Sequence, residues 1–400
     1  MSVIGNQKQI YLQIIGRLQP YFRTDANLPE RVQKLLAREK RFGSRDRRLY
    51  RELIYTTLRY LPWVEPLFER DPDRAAAMVA WLASNSAATA NYRSEMALDW
   101  PHCPDTLSAK ADILNLKPEE LLPTWFQEEC PAALHPKEND TMHRRASLWI
   151  RLQTTKPDLV LAEFDRQDWA WSRSKIKTDA IELTPDASVA NSKSYLNGAY
   201  EVQDLGSQLV LASTHIKAGE QWLDACAGAG GKTLQLARIL GPEGIVTAHD
   251  IRPSAIDELL LRADRSGLQN IRTASLPIIN KYDGVLVDAP CSGSGTWRRA
   301  PHLKWVNGPS KIEDYARLQL ELLETYAKAV RSGGKLIYAT CSLNHSENAS
   351  VIAEFLAQYP DFLIEPPENN FGFEPQPWGL TILPSQHNTD GFFVSSMRRK

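Results

Sequence analysis

The sequence predicts an α/β architecture, a doubly wound parallel sheet preceded by an all-α unit, and three features carry that prediction. From about Gly206 the chain alternates short apolar strands with amphipathic helices, the pattern of a parallel sheet with helices on both faces and ligands at the carboxyl ends of its strands. The first 140 residues instead carry apolar side chains at helical spacing, as in Ile10, Tyr11, Ile14, Ile15 and Leu18,. Between these regions, ASLWIRLQTT and DAIELTP alternate over a few positions as short strands do,. A chain of 400 residues is too long for one ordinary core,. Boundaries therefore fall at 1–140 for the helical unit, 145–200 for a small α+β segment and 201–400 for the doubly wound domain. The polar, aperiodic ALHPKENDTMHRR reads as a linker after the first unit,.

Hydrophobic residues make up 43% of the chain and charged residues 24%, which fits a folded, soluble protein. No run approaches the ~18 apolar residues of a membrane span. The N-terminus lacks a basic segment followed by an apolar run, so no secretory signal is expected and the cytoplasm is the default. Five cysteines, odd in number and far apart, make neither a disulfide framework nor a zinc site, and no metal is expected. In a reducing compartment a thiol stays available as a nucleophile. The net charge of −1 hides an uneven distribution: residues 1–70 hold 14 Lys/Arg against 7 Asp/Glu. The basic residues lie among Tyr21, Phe22, Phe42 and Tyr50, which suits a phosphate-backbone surface and equally a solvated helical face.

The elements of the doubly wound part follow in order. Strands are expected at 222–226, 244–250, 270–276, 282–289 and 334–341. Helices are expected over KTLQLARIL, over PSAIDELLLRADRSG with Pro253 in its first turn, and over KIEDYARLQLELLETYAKAVRSGG with a C-cap at Gly333–Gly334,. The first strand runs into the glycine-rich turn AGAGGKT, where a ligand can approach the backbone and helix N–H groups closely. A phosphate-binding loop would need glycine where Cys226 stands, and a dinucleotide fingerprint starting at Gly228 would need glycine at Thr233,. The downstream VLVDAP does imitate an ATPase strand, so a nucleotide triphosphatase stays open. Asp250, at the tip of the second strand, can accept two hydroxyl hydrogen bonds from a ribose diol. Such a loop with such an acid suits an adenosine cofactor without phosphate, and S-adenosylmethionine is that cofactor.

Cys291 follows the fourth strand in DAPCSGSG and Cys341 follows the fifth in YATCSL. Adjacent parallel strands end side by side, so two thiols 50 residues apart in sequence can face one pocket,. A thiol and a methyl donor act together in one reaction. A thiolate adding to carbon 6 of cytosine makes carbon 5 nucleophilic enough to take a methyl group. Release of the adduct needs a second group, Asp288 is placed to stabilise the ring at N3, and Lys232 to lower a thiol pKa. Cys103, Cys130 and Cys226 read as ordinary buried thiols.

DACAGAGGKT, DAPCSGSG and YATCSL, with VQDLGSQLV ahead and DGFFVSSMRRK at the end, resemble the Sun family of RNA cytosine-5 methyltransferases over about residues 145–400. The N-terminal FGSRDRRLYRELIYTTLRYL is similar to a NusB-like RNA-binding domain. The resemblance implies a Rossmann-like class I methyltransferase domain, S-adenosylmethionine as cofactor, and small-subunit rRNA as partner of a monomeric enzyme that needs no membrane. It further implies that Cys341 is the nucleophile and Cys291 assists release. Cys226, Ala227, Gly228, Ala229, Gly230, Gly231, Lys232, Asp250 and Asp288 match the cofactor-holding positions. The chain departs from the family at Gly228–Ala229, usually Ala-Pro, and after the third strand, where Ser275 stands near the place of the usual acid. Against these expectations stand the triphosphatase and a catalytically silent RNA-binding protein.

Overall fold

The computed structural model describes residues 2–275 and 281–400. Two compact units emerge: Met1–Arg145 with Thr296–Pro309, and Ala146–Gly295 with Ser310–Lys400. The first is all-α. Its opening helix, Val3–Leu18, buries Ile4, Ile10, Tyr11, Ile14, Ile15 and Leu18 on one face, and the Ser2 side chain accepts from the Gly5 N–H at 3.0 Å, satisfying one of the free donors of its first turn. Helix Ser44–Arg59 begins where the Asp46 carboxylate takes the Gly43 N–H at 3.1 Å. Leu53, Ile54 and Leu58 of this helix are in the core. So are Phe22, Phe42 and Tyr50, and these three aromatics of the basic stretch support the core, while Tyr21 is half-buried with the Arg31 guanidinium 3.7 Å from its ring centroid.

The stretch 133–145 is not a linker. Pro136–Met142 forms a helix, and Glu138, Asn139, Thr141, Met142 and His143 are buried. Its polarity is used internally: Asp140 Oδ1 accepts from the Leu107 N–H at 2.7 Å, and the Thr141 hydroxyl donates to the Lys137 carbonyl at 2.8 Å. A polar segment whose groups are satisfied inside gives no apolar period to read.

The second strand-rich unit holds two sheets. In the first, β1 (Leu148–Leu152), β2 (Trp171–Arg173), β3 (Ala180–Leu183) and β4 (Tyr200–Val202) lie antiparallel in the order β2-β3-β1-β4. The second contains β5 (Gln221–Asp224), β6 (Ile245–Ala248), β7 (Ile271–Thr273), β8 (Tyr282–Asp288) and β9 (Val330–Thr340). It continues through β10 (Phe362–Glu365), β11 (Pro375–Gln376), β12 (Gly379–Ile382) and β13 (Phe392–Arg399). Among the described residues the order is β11-β12-β13-β9-β8-β5-β6-β7, with β10 also pairing β13. Strands β5 to β9 pair in parallel, as the alternation predicts. The antiparallel extension through β13 was not legible in that alternation. The third strand is shorter than 270–276, and Leu276 lies outside the described residues.

The helix expected to end at Gly333–Gly334 ends at Ala327. Gly333, at φ 73°, instead belongs to β9, in a stretch where Tyr282 pairs with Val330 but Gly284 with Lys335. The extra residues on β9 form a bulge, which requires the left-handed glycine that the sequence reading assigned to a cap.

Inside the helical unit, the Lys304 ammonium is buried and reaches His143 Nε2 at 2.9 Å and the Arg59 carbonyl at 3.1 Å, while His143 Nδ1 meets the Asn139 carbonyl at 2.9 Å. This arrangement requires neutral His143 with its proton on Nδ1. Burial first, and the Lys304 charge second, hold the His143 pKa well below its ordinary value. Below pH ~6.5 the unfolded chain therefore binds a proton that the folded chain does not, and stability falls as pH falls. Thermal unfolding between neutral pH and pH ~5 should show a loss approaching about 1.4 kcal/mol per pH unit from this group. His143→Gln should flatten that acid limb; an acid limb as steep as the parent's would exclude His143 as its source.

Candidate active site

Strand order reverses around β5, which has β6 on one side and β8 on the other, so the crevice for a ligand lies beyond the carboxyl end of β5. The turn leaving β5 is left-handed at Gly228 (φ 53°) and Gly230 (φ 90°) and opens helix Gly231–Leu240. A Cβ at Gly230 would meet Leu234 and Leu259 at 2.8 Å, so that glycine serves packing. At Gly228 the nearest atom to such a Cβ is 3.7 Å away, and at Gly231 nothing lies within 4 Å. The loop thus keeps an open face lined by backbone. Its base is held from two directions. Thr233, fully buried, donates to Asp224 Oδ2 at 2.7 Å, and burial pushes the Asp224 carboxyl up to about 7, the Thr233 bond partly offsetting it. The Ala229 carbonyl accepts from Arg262 Nη1 at 2.6 Å, and Arg262 is itself held by buried Glu201 of β4 at 2.8 Å.

Asp250 lies at the end of β6, as its position in the sequence suggests. Its Oδ2 accepts from the Gly228 N–H at 2.8 Å, so the carboxylate braces the glycine turn. Arg252 occupies both oxygens through Nε at 3.0 Å and Nη2 at 3.1 Å, and adds its own N–H at 2.9 Å. Burial raises the Asp250 pKa, but the Arg252 side-chain and backbone bonds and the Gly228 N–H outweigh it, holding the carboxyl below its usual range. Ser275 is exposed just past β7, and the five residues after it are not described.

Lys232 Nζ donates to Asp288 Oδ2 at 2.8 Å and sits 5.1 Å from the Phe392 ring centroid. The ammonium that the sequence offered to a thiol is therefore committed to a carboxylate. This pairing lends the triphosphatase alternative no support. In a phosphate loop the lysine reaches phosphate and the following Thr hydroxyl holds Mg²⁺. Here Lys232 is tied to Asp288 and Thr233 is sealed against Asp224. Burial, with the charges of Asp224, Asp288 and Asp250, pushes the Cys226 thiol far up, so Cys226 contributes backbone rather than a thiolate.

The two remaining cysteines meet. Asp288 of β8 pairs in register with Ala339 of β9, and beyond these ends Cys291 Sγ and Cys341 Sγ lie 3.4 Å apart as half-buried thiols not joined in a disulfide. The loop after Cys291 is closed by a glycine contact: Gly391 N–H donates to the Gly295 carbonyl at 2.8 Å, and a Cβ on Gly295 would meet Gly391 O at 2.1 Å. The hydrogen bond from Cys341, then burial, then the charges of Cys341 and Glu347, push the Cys291 thiol well above its usual range. Three residues of the site were not singled out from sequence. Burial first, and the nearby cysteines and Glu347 after it, push the Tyr315 phenol up. Asp224 underlies the glycine turn. Glu347, fully buried, accepts from Ser292 and Ser342, the residues that follow the two cysteines. An acid next to an aromatic-poor polar stretch, NHSEN, carries no local signal of burial.

A sheet ordered β7-β6-β5-β8-β9, with a backbone-lined crevice at the end of β5 and an acid at the tip of β6, is the class I methyltransferase fold. The comparisons narrow the class. Residues 211–398 match the family described as 16S rRNA methyltransferase RsmB/F. The chain is 34% identical over 318 residues to the probable ribosomal RNA small subunit methyltransferase B of Synechocystis sp., covering 72% of this chain and 68% of that protein. It is 35% identical over 243 residues to the Bacillus subtilis protein of the same name, there spanning 57% of this chain and about half, 54%, of the relative. The crystal structure titled PH0851 has a TM-score of 0.72 at 24% identity, covering 92% of this chain and 93% of that one, which establishes the likeness of fold. The chain belongs to the RsmB/F family of 16S rRNA methyltransferases.

The tie from Glu201 to the glycine turn gives a stability prediction. Glu201 faces Arg262 at 2.8 Å and Arg265 at 2.5 Å and is about 1% exposed. Glu201→Ala would leave two largely buried guanidiniums without their carboxylate, and denaturant unfolding should show a loss of about 3–5 kcal/mol. A change below about 1 kcal/mol would reduce this network to the worth of a surface pair.

Proposed function

We propose that the protein transfers a methyl group from S-adenosylmethionine to carbon 5 of a cytosine in small-subunit rRNA through a covalent adduct on Cys341. The observation that carries the reading is the 3.4 Å separation of two thiols at the ends of adjacent parallel strands, next to the strand whose glycine turn opens the helix Gly231–Leu240. The open backbone face at Gly228 and Gly231 and the Asp250 carboxylate fit the cofactor, whose sulfonium supplies an electrophilic methyl group when bound.

The chain's own groups divide the work. Cys341 adds as thiolate to carbon 6, and electron density moves to carbon 5, which takes the methyl. Asp288, steadied by Lys232 at 2.8 Å, passes the proton that the Cys341 thiol gives up to N3 during addition and takes it back when the C6–S bond breaks. The carbon 5 proton then leaves to a base, the C6–S bond breaks, and the thiolate of Cys341 is restored. Cys291 stands next to that sulfur and assists this last stage. Two thiols at such close range without a disulfide fit a cytoplasmic enzyme. The exposed Arg45 and Arg48 of the helical unit supply positive charge for RNA phosphates.

Two predictions follow from the division of labour. Cys341→Ala should lower methylation of rRNA by about three orders of magnitude or more and abolish any RNA–protein adduct, while Cys291→Ala should still form the adduct and fail to release it. Denaturing gels of protein incubated with radiolabelled RNA and cofactor read both results. Adduct formation by Cys341→Ala would move the nucleophile elsewhere.

At the cofactor site, Asp250→Ala should weaken S-adenosylmethionine binding by roughly 1.5–3 kcal/mol, since a charged acceptor for the ribose hydroxyls is lost. Arg252 covers that carboxylate, so Arg252→Ala should bind the cofactor as tightly as the parent or tighter. Calorimetry with S-adenosylmethionine tests the pair; weaker binding by Arg252→Ala would make the arginine a ligand contact rather than a cover.

A further inference from the structure

Glu347 is 0% exposed, and its carboxyl oxygens accept from five neutral donors. Oε1 accepts from the Ser292 N–H at 2.8 Å and Gln319 Nε2 at 3.1 Å. Oε2 accepts from Ser292 Oγ at 2.5 Å, Ser342 Oγ at 2.6 Å and Asn344 Nδ2 at 2.6 Å. A carboxylate is costly to bury, and short charge-assisted bonds are what hold it there in ionised form. Their placement is specific. Ser292 directly follows Cys291 and Ser342 directly follows Cys341, so one side chain grips both cysteine loops at the residue next to each thiol. The two serine hydroxyls lie 3.3 Å from one another, and Gln319 also donates to the Pro290 carbonyl at 2.9 Å, fixing the residue on the other side of Cys291.

Two thiols in contact cannot both ionise readily, because the second negative charge meets the first. The hydrogen bond from Cys341 and burial lead the upward push on Cys291, and Glu347 adds to it. Tyr338 of β9 holds the same acid from its backbone side, its hydroxyl donating to the Glu347 carbonyl at 2.5 Å. Tyr315, on the helix Pro309–Ala327, stands near the pair, and burial pushes both phenols up.

We propose that Glu347 is the positioning residue of the thiol pair: its buried carboxyl grips the residue after each cysteine, locks the two loops together and so keeps Cys341 and Cys291 in contact. The assignment rests on the covalent reading above, in which Cys341 attacks and Cys291 serves release. It explains, from this chain's geometry, how thiols on two separate loops are held close enough to act on one adduct.

The test follows alkylation of each cysteine by iodoacetamide at low extent, peptide by peptide in mass spectrometry, across the thiol titration range in the full-length protein. In the parent, Cys341 should react at least about tenfold faster than Cys291 near neutral pH. In Glu347→Gln, which puts a donating amide where an accepting oxygen stood and so breaks part of the grip, the difference between the two thiols should shrink by about threefold or more, and methylation should lose kcat with KM for RNA unchanged. A folded Glu347→Gln protein whose two alkylation profiles superimpose on the parent's overturns the proposal. Should that variant not fold, Glu347→Asp decides, since it keeps the carboxyl but is one methylene too short to span both loops. A fall in kcat of about tenfold or more with cofactor affinity unchanged supports the proposal; a smaller fall in kcat overturns it. A parent that shows the thiol asymmetry yet methylates no RNA overturns the proposed function and leaves the thiol assignment standing.

Discussion

The parallel pairing of β8 with β9 is the constraint on which the contact of the two cysteines depends. Parallel neighbours end on the same side of a sheet, and the register that sets Asp288 opposite Ala339 sends Cys291 and Cys341 out from adjacent strand ends. Register brings the loops close but does not hold the sulfurs in contact. That requires the loops to be closed, at Gly295 against Gly391 on one side and around the Glu347 carboxylate on the other. Any slip of β9 would carry Cys341 away from its partner, so the bulge at Gly333 is absorbed at the far end of the strand, where Tyr282 and Val330 pair.

The cofactor edge is built by a different means. Its glycine turn has little side-chain substance, and its shape is imposed by neighbours drawn from three separate parts of the chain. Asp250 holds the Gly228 amide, Asp224 holds Thr233, and Arg262 holds the Ala229 carbonyl while standing on Glu201 of the small sheet. The small α+β segment is therefore a buttress for the loop as well as a sheet of its own. The motif VQDLGSQLV has a comparable role: Asp204 Oδ1 accepts from the Gly206 N–H, the Thr389 hydroxyl and the Asp390 N–H, joining it to the C-terminal DGFF. Motifs far apart in sequence thus meet because each completes the hydrogen bonding of the other.

In the helical unit the same accounting governs a segment that follows the Cys291 loop. Residues 296–309 group with the N-terminal helices, where Trp297 packs against Phe126 at a centroid distance of 4.3 Å and the Trp305 indole N–H donates to the Leu58 carbonyl at 2.6 Å. Lys304 is the sharpest case. A surface lysine by sequence, it is buried against His143, the Arg59 carbonyl and the Trp305 ring.

The sequence by itself determined the parallel core, the place of the glycine turn and of Asp250 at its edge, and the pair of cysteines at two strand ends. These follow from local rules: a hydrophobic period distinguishes strand from helix, and loop chemistry marks what stands where a strand stops. Only the tertiary structure decided which polar groups are spent on one another. Lys232 goes to Asp288, Arg252 covers Asp250, Glu201 gathers two arginines, Glu347 is buried under both thiols, and the polar stretch before β1 becomes a packed helix. The physical reason is common to all five. A residue's polarity is written in the sequence, but its partner and its burial are set by chain segments tens to hundreds of residues away, and a satisfied buried charge looks in sequence like any solvated one.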